Sequence, residues 1–323
     1  MKLTISNIGM IKYADIRLDG LTVIAGENDT GKSTVSKVLY SIVKSISKDN
    51  RVSQLNLQNN FTKYFDADIS QNGSVSLEKA NLNLKVDIVN NNCSINEKEV
   101  ETIFFLVENG SSNIIMIETP LIWNFIDLFT KLPMIEDELN IELQYPHIMK
   151  DLHWNLSFKS RENALNISTA ISKIIHGTFL QNSAGDFYFQ KNNKKIKLIN
   201  TATGIKYFGI LQTLSDNNHF HQGEILILDE PEVHLHPKWQ LELAKVIVYL
   251  SENGIKVLVN SHSPYMIEAL EKFSTNKNNN NFYLAENGEI AKVNDNNSDT
   301  LAKIFAKLSE PFEVFEQMEV ADF

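Results

Sequence analysis

Gly26-Glu27-Asn28-Asp29-Thr30-Gly31-Lys32-Ser33, near the start of a chain of 323 residues, is the most informative segment of this sequence. It fits the pattern G-x-x-x-x-G-K-[S/T], in which glycines let the backbone wrap around a phosphate group. An apolar run of strand length, residues 21–25, precedes it, and residues 35–46 carry apolar side chains at helical spacing. The order strand, loop, helix is the context that a phosphate-binding loop needs.

Each position of this loop has a physical task. The glycines free the backbone, so that its N–H groups and the start of the following helix point at an anion. Lys32 is expected to reach the β- and γ-phosphates of a nucleotide, and the Ser33 hydroxyl to ligate Mg²⁺, which prefers oxygen. The predicted nucleotide-binding residues of the loop are Gly26, Asn28, Gly31, Lys32, Ser33 and Thr34.

Polar side chains also follow two later apolar strands. Asp229 and Glu230 come directly after the run 225–228, and His262 follows the next predicted strand. Ligands of open α/β sheets bind beyond the carboxyl ends of the strands, so these side chains should face the phosphate loop. Asp229 is predicted to hold Mg²⁺ and Glu230 to polarise the attacking water. A neutral His262 imidazole would hydrogen-bond the γ-phosphate and that water.

The composition excludes several classes of protein. The chain is 43% hydrophobic and 22% charged, which excludes wholesale disorder. Its net charge of −10 requires that any contact with nucleic acid be local or made through a partner. The single cysteine excludes an intrachain disulfide and a multi-cysteine metal site. The low cysteine content and the absence of long apolar runs together predict a cytoplasmic protein without membrane contact. A His/Glu metal site at 232–236 stays open as an alternative, although no third ligand lies nearby in sequence.

Together these residues resemble the ATP-binding-cassette (ABC) ATPases, in the non-transporter branch that contains the SMC, RecF and overcoming-lysogenization-defect (OLD) ATPases. Besides the phosphate loop, two strings carry the resemblance. Leu228-Asp229-Glu230-Pro231-Glu232-Val233-His234-Leu235-His236-Pro237 is similar to the D/E-E-P-E-x-x-L-H-P string of OLD-like enzymes, and Asn260-Ser261-His262-Ser263-Pro264 matches their switch histidine. The resemblance covers residues 1–50 and about 200–272 and is strongest to a standalone OLD-like ATPase.

The resemblance implies a homodimer with ATP at its interface. Lys32, Ser33, Asp229, Glu230 and His262 would come from one chain, with Glu230, His262 and Lys32 as the catalytic residues. Thr203 and Gly204, at the place of the family's signature segment, would contact the nucleotide of the other chain. This segment departs from the usual L-S-G-G, because Thr203 stands for the serine and one glycine is missing. Glu118 is the candidate for the residue that senses Mg²⁺ in relatives.

The motif spacing also predicts how the chain is organised. Lys32 and Asp229 must share one site, so residues 1–50 and 196–323 would form one ABC-type ATPase core. Residues 51–195 would be an insertion of strands and a helical lid or arm, without a long coiled coil. The fold class is α/β, a mixed, mainly parallel sheet covered by helices. Residues 161–176 are predicted as a helix, and residue 276 and residues 278–281 as a polar loop.

The resemblance favours an ATP-binding and ATP-hydrolysing switch subunit that dimerises around ATP and controls a separate effector, a nuclease or toxin, in bacterial anti-phage defence. The alternative is a RecF-like DNA-repair ATPase that binds DNA directly. The lysine-rich segment 191–197 is the candidate contact, although such segments are usually only solvated. A toxin or nuclease in its own right is the third hypothesis, and no carboxylate cluster outside the ATP site supports it.

Overall fold

A computed structural model describes residues 1–46, 52–65, 69–79, 82–95, 114–141, 143–183, 185–274 and 279–317. The strands are β1 (Lys2–Ile8), β2 (Ile11–Arg17), β3 (Leu21–Ala25), β4 (Asn72–Lys79), β5 (Leu82–Val89), β6 (Asn92–Ile95), β7 (Ile114–Ile117), β8 (Thr178–Gln181), β9 (Phe187–Lys191), β10 (Lys194–Lys197), β11 (Ile225–Asp229), β12 (Lys256–Ser261), β13 (Asn280–Glu286) and β14 (Glu289–Ala291). The α-helices are α1 (Lys32–Lys44), α2 (Gln54–Phe65), α3 (Ile126–Leu139), α4 (His147–Ser157), α5 (Ser168–Ile175), α6 (Thr203–Asp216), α7 (Pro237–Glu252), α8 (Pro264–Phe273) and α9 (Asn297–Gln317).

One large mixed sheet organises the described residues. Its 11 strands have the order β6-β5-β4-β1-β2-β14-β13-β3-β12-β11-β7. The strands from β13 to β7 are parallel, whereas β1 pairs antiparallel with both β2 and β4, and β5 continues that antiparallel half. Strands β8, β9 and β10 form a separate small sheet. The predicted α/β class, with a mixed sheet covered by helices, is confirmed.

Alternate residues of the parallel strands pack into two different cores, one on each face of the sheet. In β7, Ile115 and Ile117 join the core formed with helices α6, α7 and α8. Ile114 and Met116 join the opposite core, formed with α1 and α2. A strand that is buried on both faces needs apolar side chains at every position, which explains the unbroken apolar runs in the sequence.

The register of the parallel strands brings the motifs to one edge of the sheet. Ala25 pairs with Ser261, and Asp229 pairs with Asn260. On the other side of β11, Leu228 pairs with Ile117, so Glu118 leaves the sheet beside Asp229. The phosphate loop, the acidic residues and His262 therefore emerge side by side, although more than half of the chain separates them in sequence.

Part of the predicted insertion is built into the main sheet. Strands β4, β5 and β6 extend the sheet outward from β1, and β7 forms the edge strand beside β11. Helix α2 packs on α1 through the core of the same face. The division into residues 1–50, 51–195 and 196–323 stays a prediction.

Two local predictions are wrong. Only Ser168–Ile175 of the expected 161–176 helix is helical, because Asn163 has a φ of 65° and the Leu165 N–H donates to the Phe220 carbonyl instead of a helical partner. Asn280 and Asn281 lie in a buried strand, β13, rather than in a polar loop. Their polar groups are satisfied by tertiary contacts that the sequence pattern does not reveal, such as the 2.8 Å bond from Lys292 Nζ to Asn281 Oδ1. Residues 276 and 278 lie outside the described residues.

Cys93 is a buried free thiol, and burial raises its pKa to about 12. The described residues contain no group of three or more His, Cys, Asp or Glu side chains placed to hold a metal ion. Within the same described ranges, no helix combines the length and apolar character that a membrane crossing needs.

Candidate nucleotide site

Backbone geometry and close packing require glycine at two positions of the phosphate loop, whether or not a ligand is bound. Gly31 has a φ of 92°, and a Cβ there would lie 2.8 Å from Ile11 Cγ1. A Cβ on Gly26 would overlap the carbonyl oxygen of Ala285 in β13. Gly31 is also the N-cap of α1, and no side chain caps the N–H groups of its first turn. These N–H groups, with the positive end of the helix dipole, are available to an anion.

Lys32 is almost fully buried, with 4% of its surface exposed. Its ammonium group donates hydrogen bonds to the carbonyl oxygens of Gly26, at 2.9 Å, and of Glu27. Burial lowers the pKa of Lys32, and the carboxylates of Glu230 and Asp229 act in the opposite direction. The phosphate loop therefore encloses the Lys32 ammonium group, at the place where a bound phosphate group would contact it.

The two carboxylates after β11 are held by different contacts. Asp229 Oδ1 accepts a 2.6 Å hydrogen bond from Asn260 Nδ2, which also lies 2.8 Å from Ser36 Oγ in α1. Glu230 has a φ of 47°, a left-handed conformation that few residues adopt without a local reason. Its Oε1 lies 3.9 Å from Lys32 Nζ and 3.2 Å from His262 Nδ1. The catalytic residues expected from the sequence thus converge at Glu230.

Glu232, which the sequence suggested only as part of an alternative His/Glu metal site, has a structural role here. Its buried carboxylate oxygen Oε1 accepts hydrogen bonds from Ser261 Oγ at 2.6 Å and from the N–H groups of His262 and Ser263. Burial raises the pKa of Glu232 and the hydrogen bonds oppose the shift. This carboxylate fixes the turn that carries His262. The signal was present, because Glu232 belongs to the same acidic string as Glu230.

Asn260 is the second residue that was missed. It joins Asp229 to Ser36 and so connects β12, β11 and α1. Its own Oδ1 is buried without a hydrogen-bond partner in the described structure. The sequence feature that indicates Asn260 is its position directly before Ser261-His262, at the end of a strand parallel to the acidic one.

A pocket of about 450 Å³ lies where these groups meet. It is lined by Met10, Asn28, Asp29, Thr30, Gly31, Lys32, Ser33, Thr34, Glu118, Thr119, Pro120, Tyr207, Asp229, Glu230, Val233 and His234. Gly26 and His262 do not line it, but they contact lining residues, Lys32 and Glu230 respectively. All the loop, acidic and histidine residues expected from the sequence are therefore within one site.

The lining residues fit a magnesium ion. Ser33, Asp229 and Glu118 bring a hydroxyl and two carboxylates to the same pocket, and hard oxygen donors are what Mg²⁺ prefers. Burial raises the pKa of Glu118, while Lys37 lowers it and the charge of Asp229 adds to the increase. A divalent cation held by residues of this pocket would offset this repulsion.

Thr203 and Gly204 do not line the pocket of their own chain. They begin α6, whose N-cap Ala202 offers no side-chain cap, so the first N–H groups of this helix are also available to an anion. Packing gives Gly204 a second reason to be glycine, because a Cβ would lie 3.0 Å from Leu235 and 3.1 Å from Trp239. Contact with the nucleotide of a partner chain stays a prediction.

Two solved SMC head domains are similar to this chain over nearly its whole length. One, bound to the C-winged helix domain of ScpA, matches with 14% sequence identity and a TM-score of 0.52, over 90% of this chain and 95% of that one. The other, with an extended coiled coil and bound to the C-terminal domain of ScpA derived from Pyrococcus furiosus, matches with 13% identity and a TM-score of 0.52, over 96% and 98%. This chain has the fold of an SMC head domain. No curated protein sequence matches it significantly.

One family model matches residues 203–268, and its description is "AAA domain, putative AbiEii toxin, Type IV TA system". The matched segment runs from α6 into α8 and includes Asp229, Glu230 and His262. Together with the SMC-head likeness, this match supports the coarser part of the expectation, the fold of an ABC-type P-loop ATPase. Membership of the OLD-like branch stays a prediction.

Proposed function

We propose that this protein is a Mg²⁺-dependent ATPase that dimerises around ATP and acts as a switch for a separate effector protein. The observation that carries the proposal is that Lys32, Asp229 and Glu230 line one pocket, with His262 Nδ1 3.2 Å from Glu230 Oε1, at the carboxyl ends of neighbouring parallel strands. Each group has the chemistry that its place in the proposed site requires.

The residues divide the work of phosphoryl transfer to water. Lys32 and the N–H groups of the loop and of α1 hold the β- and γ-phosphate oxygens. Glu230 orients the attacking water and accepts its proton, and His262, at 3.2 Å from Glu230, steadies that carboxylate and the γ-phosphate. Ser33 and Asp229 would hold Mg²⁺, with Glu118 lining the same pocket. When bound, the ion neutralises charge that develops on the phosphate oxygens.

ATP bound at the interface would hold two copies of the chain together. Each nucleotide would touch the pocket of one chain and the Thr203–Gly204 end of α6 from the other. The SMC-head fold supports this arrangement, together with the uncapped N–H groups at the start of α6. Hydrolysis would then release the pair and reset the switch.

The proposed effector is a separate nuclease or toxin, and the proposed setting is bacterial anti-phage defence. The matched family is described as a putative toxin of a type IV toxin–antitoxin system, which supports a role in a toxin–antitoxin system. It equally favours the hypothesis that this chain is itself the toxic component. Co-purification of the native complex identifies the effector, whereas growth arrest by this chain alone, without the products of neighbouring genes, would favour the second hypothesis.

The activity is tested by ATP hydrolysis. We expect the wild-type protein to hydrolyse ATP only with Mg²⁺. Glu230→Gln should bind ATP with similar affinity but hydrolyse it about 10²- to 10⁴-fold more slowly, because the proton acceptor is lost. It should also accumulate as an ATP-bound dimer in light scattering. The matched control is Glu138→Gln, an exposed glutamate of α3, which should behave as wild type. Normal hydrolysis by Glu230→Gln would show that the catalytic base is a different residue.

A further inference from the structure

The hydroxyl group of Tyr207 is buried without a hydrogen-bond partner. Tyr207 lies in α6 with 2% of its surface exposed, and no described residue bonds its Oη. Leaving a buried hydroxyl unpaired costs about 1–3 kcal/mol, so native proteins generally pair such groups. An orphan hydroxyl in a fold that satisfies most other polar groups calls for a specific explanation.

Other buried tyrosines of this chain show the usual arrangement. The hydroxyls of Tyr40 and Tyr64 both donate to Asp151 Oδ2, at 3.0 and 2.7 Å. The hydroxyl of Tyr283 accepts a 2.7 Å hydrogen bond from the Arg17 N–H. A phenylalanine at 207 would fill the same volume without the unpaired oxygen. Packing against the core therefore accounts for an aromatic ring at this position but not for its hydroxyl.

The position of Tyr207 indicates what the hydroxyl is for. Tyr207 lines the same pocket as Lys32, Asp229 and Glu230, the residues proposed to contact the γ-phosphate, its magnesium ion and the attacking water. Burial, with the negative charges of Glu232 and Asp229, raises the pKa of Tyr207 well above its usual value. The group therefore stays protonated at every physiological pH. It offers one hydrogen-bond donor to an oxygen in the pocket.

We propose that the Tyr207 hydroxyl donates a hydrogen bond to a γ-phosphate oxygen of the bound nucleotide. The inference rests on the proposed function, since it needs ATP in this pocket. It adds to the predicted residues a neutral donor from α6, an element that the sequence analysis connects only with the nucleotide of the partner chain.

The contact would give α6 a place in both ATP sites of a dimer. Tyr207 lies one helical turn after Thr203. Thr203 and Gly204 would touch the nucleotide of the partner, while Tyr207 touches the nucleotide of its own chain. A rigid helix of 14 residues that meets both nucleotides would sense whether each site still holds a γ-phosphate.

The test compares Tyr207→Phe with the wild type by equilibrium binding of ADP and of a non-hydrolysable ATP analogue, with Mg²⁺ present. We expect binding of the analogue to weaken about tenfold or more, the range for a hydrogen bond to a charged group, while binding of ADP stays unchanged. The ligand-free variant should melt at the same temperature as the wild type or higher, because an unpaired buried hydroxyl has been removed. Tyr249→Phe, a substitution of an exposed tyrosine in α7, is the matched control.

Each result decides between defined alternatives. Equal affinity of Tyr207→Phe and wild type for the ATP analogue would overturn the inference and leave the proposed function intact. Equal weakening for ADP and for the analogue would overturn the assignment to the γ-phosphate. If the wild type binds neither nucleotide, the proposed function fails and the inference fails with it.

Discussion

At the scale of single residues, the polar side chains at the edge of the sheet hold one another in place. Asn260 bonds both Asp229 and Ser36, and Glu232 bonds the backbone of the turn that carries His262. Catalysis by positioned charges depends on groups that need not reorganise when the reaction occurs. These contacts give the pocket that property before any ligand arrives.

Gly26 is expected to serve both the packing of the ligand-free protein and the binding of a ligand. We expect Gly26→Ala to lower the melting temperature of the ligand-free protein by several degrees, because the new Cβ would overlap the Ala285 carbonyl and push β13 from β3. The measurement is thermal unfolding without nucleotide, followed by circular dichroism.

The matched control separates spatial conflict from backbone strain. Gly185 has a φ of 92° and open space around its Cβ position, with the nearest atom 3.9 Å away. Gly185→Ala should therefore cost only about 1 kcal/mol of strain, less than Gly26→Ala. A Gly26→Ala variant that melts like the wild type but binds no nucleotide would show that Gly26 serves the ligand alone.

At the scale of elements, helix α1 connects the phosphate loop to part of the predicted insertion. Lys32 begins the helix, and Tyr40, nearer its end, bonds Asp151 in α4. Tyr64 in α2 bonds the same carboxylate, and its ring meets that of Tyr40 edge to face at 5.0 Å. Lys44 and Lys63 lie 3.9 and 3.6 Å from Asp151. One partly buried carboxylate thus ties three helices together.

Breaking this network should destabilise the protein. We expect Asp151→Ala to lower the free energy of unfolding by about 2–4 kcal/mol, because two buried hydroxyls lose their acceptor and two lysines lose a counter-charge. Chemical denaturation measures the change. Asp137→Ala, at an exposed position of α3, is the control and should change stability by less than about 0.5 kcal/mol. Equal stability of the two variants would show that solvent replaces the contacts of Asp151.

At the scale of the whole molecule, the proposed function requires an ATP site that is completed by a second chain. The pocket is lined by residues 28–34, Asp229 and Glu230 of one chain, with His262 beside Glu230, whereas Thr203 and Gly204 lie outside it. The net charge of −10 disfavours a nucleic-acid interface spread over the surface. The lysine-rich hairpin β9–β10 stays the candidate for a local contact, with Lys195 Nζ placed over the Tyr188 ring at 4.7 Å.

A mixing experiment tests the shared site. Lys32→Ala should be inactive because it lacks the cation of its own pocket, and Thr203→Glu because it brings a negative charge to the phosphates of its partner. A mixed dimer contains one pocket with an intact Lys32 that faces an intact Thr203. We therefore expect ATP hydrolysis to reappear when the two variants are mixed, and we would measure it against each variant alone. Normal hydrolysis by Thr203→Glu alone would contradict the shared site.

Much of the site could be read from the sequence because its chemistry is local. A phosphate loop needs glycines, a lysine and a hydroxyl within eight positions, and the loop, the acidic strand end and the histidine all have short patterns. The expected strand at 21–25 and the helix after Gly31 both match the structure. Glu118, expected on weaker grounds, also lines the pocket, because β7 pairs with β11.

The remaining features depend on contacts between distant parts of the chain, which no local pattern contains. The order of the strands, and with it the burial of Asn280 and Asn281, follows from which surfaces can be covered together. The bond from Asn260 to Ser36 and the orphan hydroxyl of Tyr207 exist only once α1, α6 and the sheet have packed. The local sequence indicates the chemistry of the site, because that chemistry needs particular residue types at short spacing. Which of these residues meet depends on the tertiary structure, because burial and hydrogen bonding are satisfied by the chain as a whole.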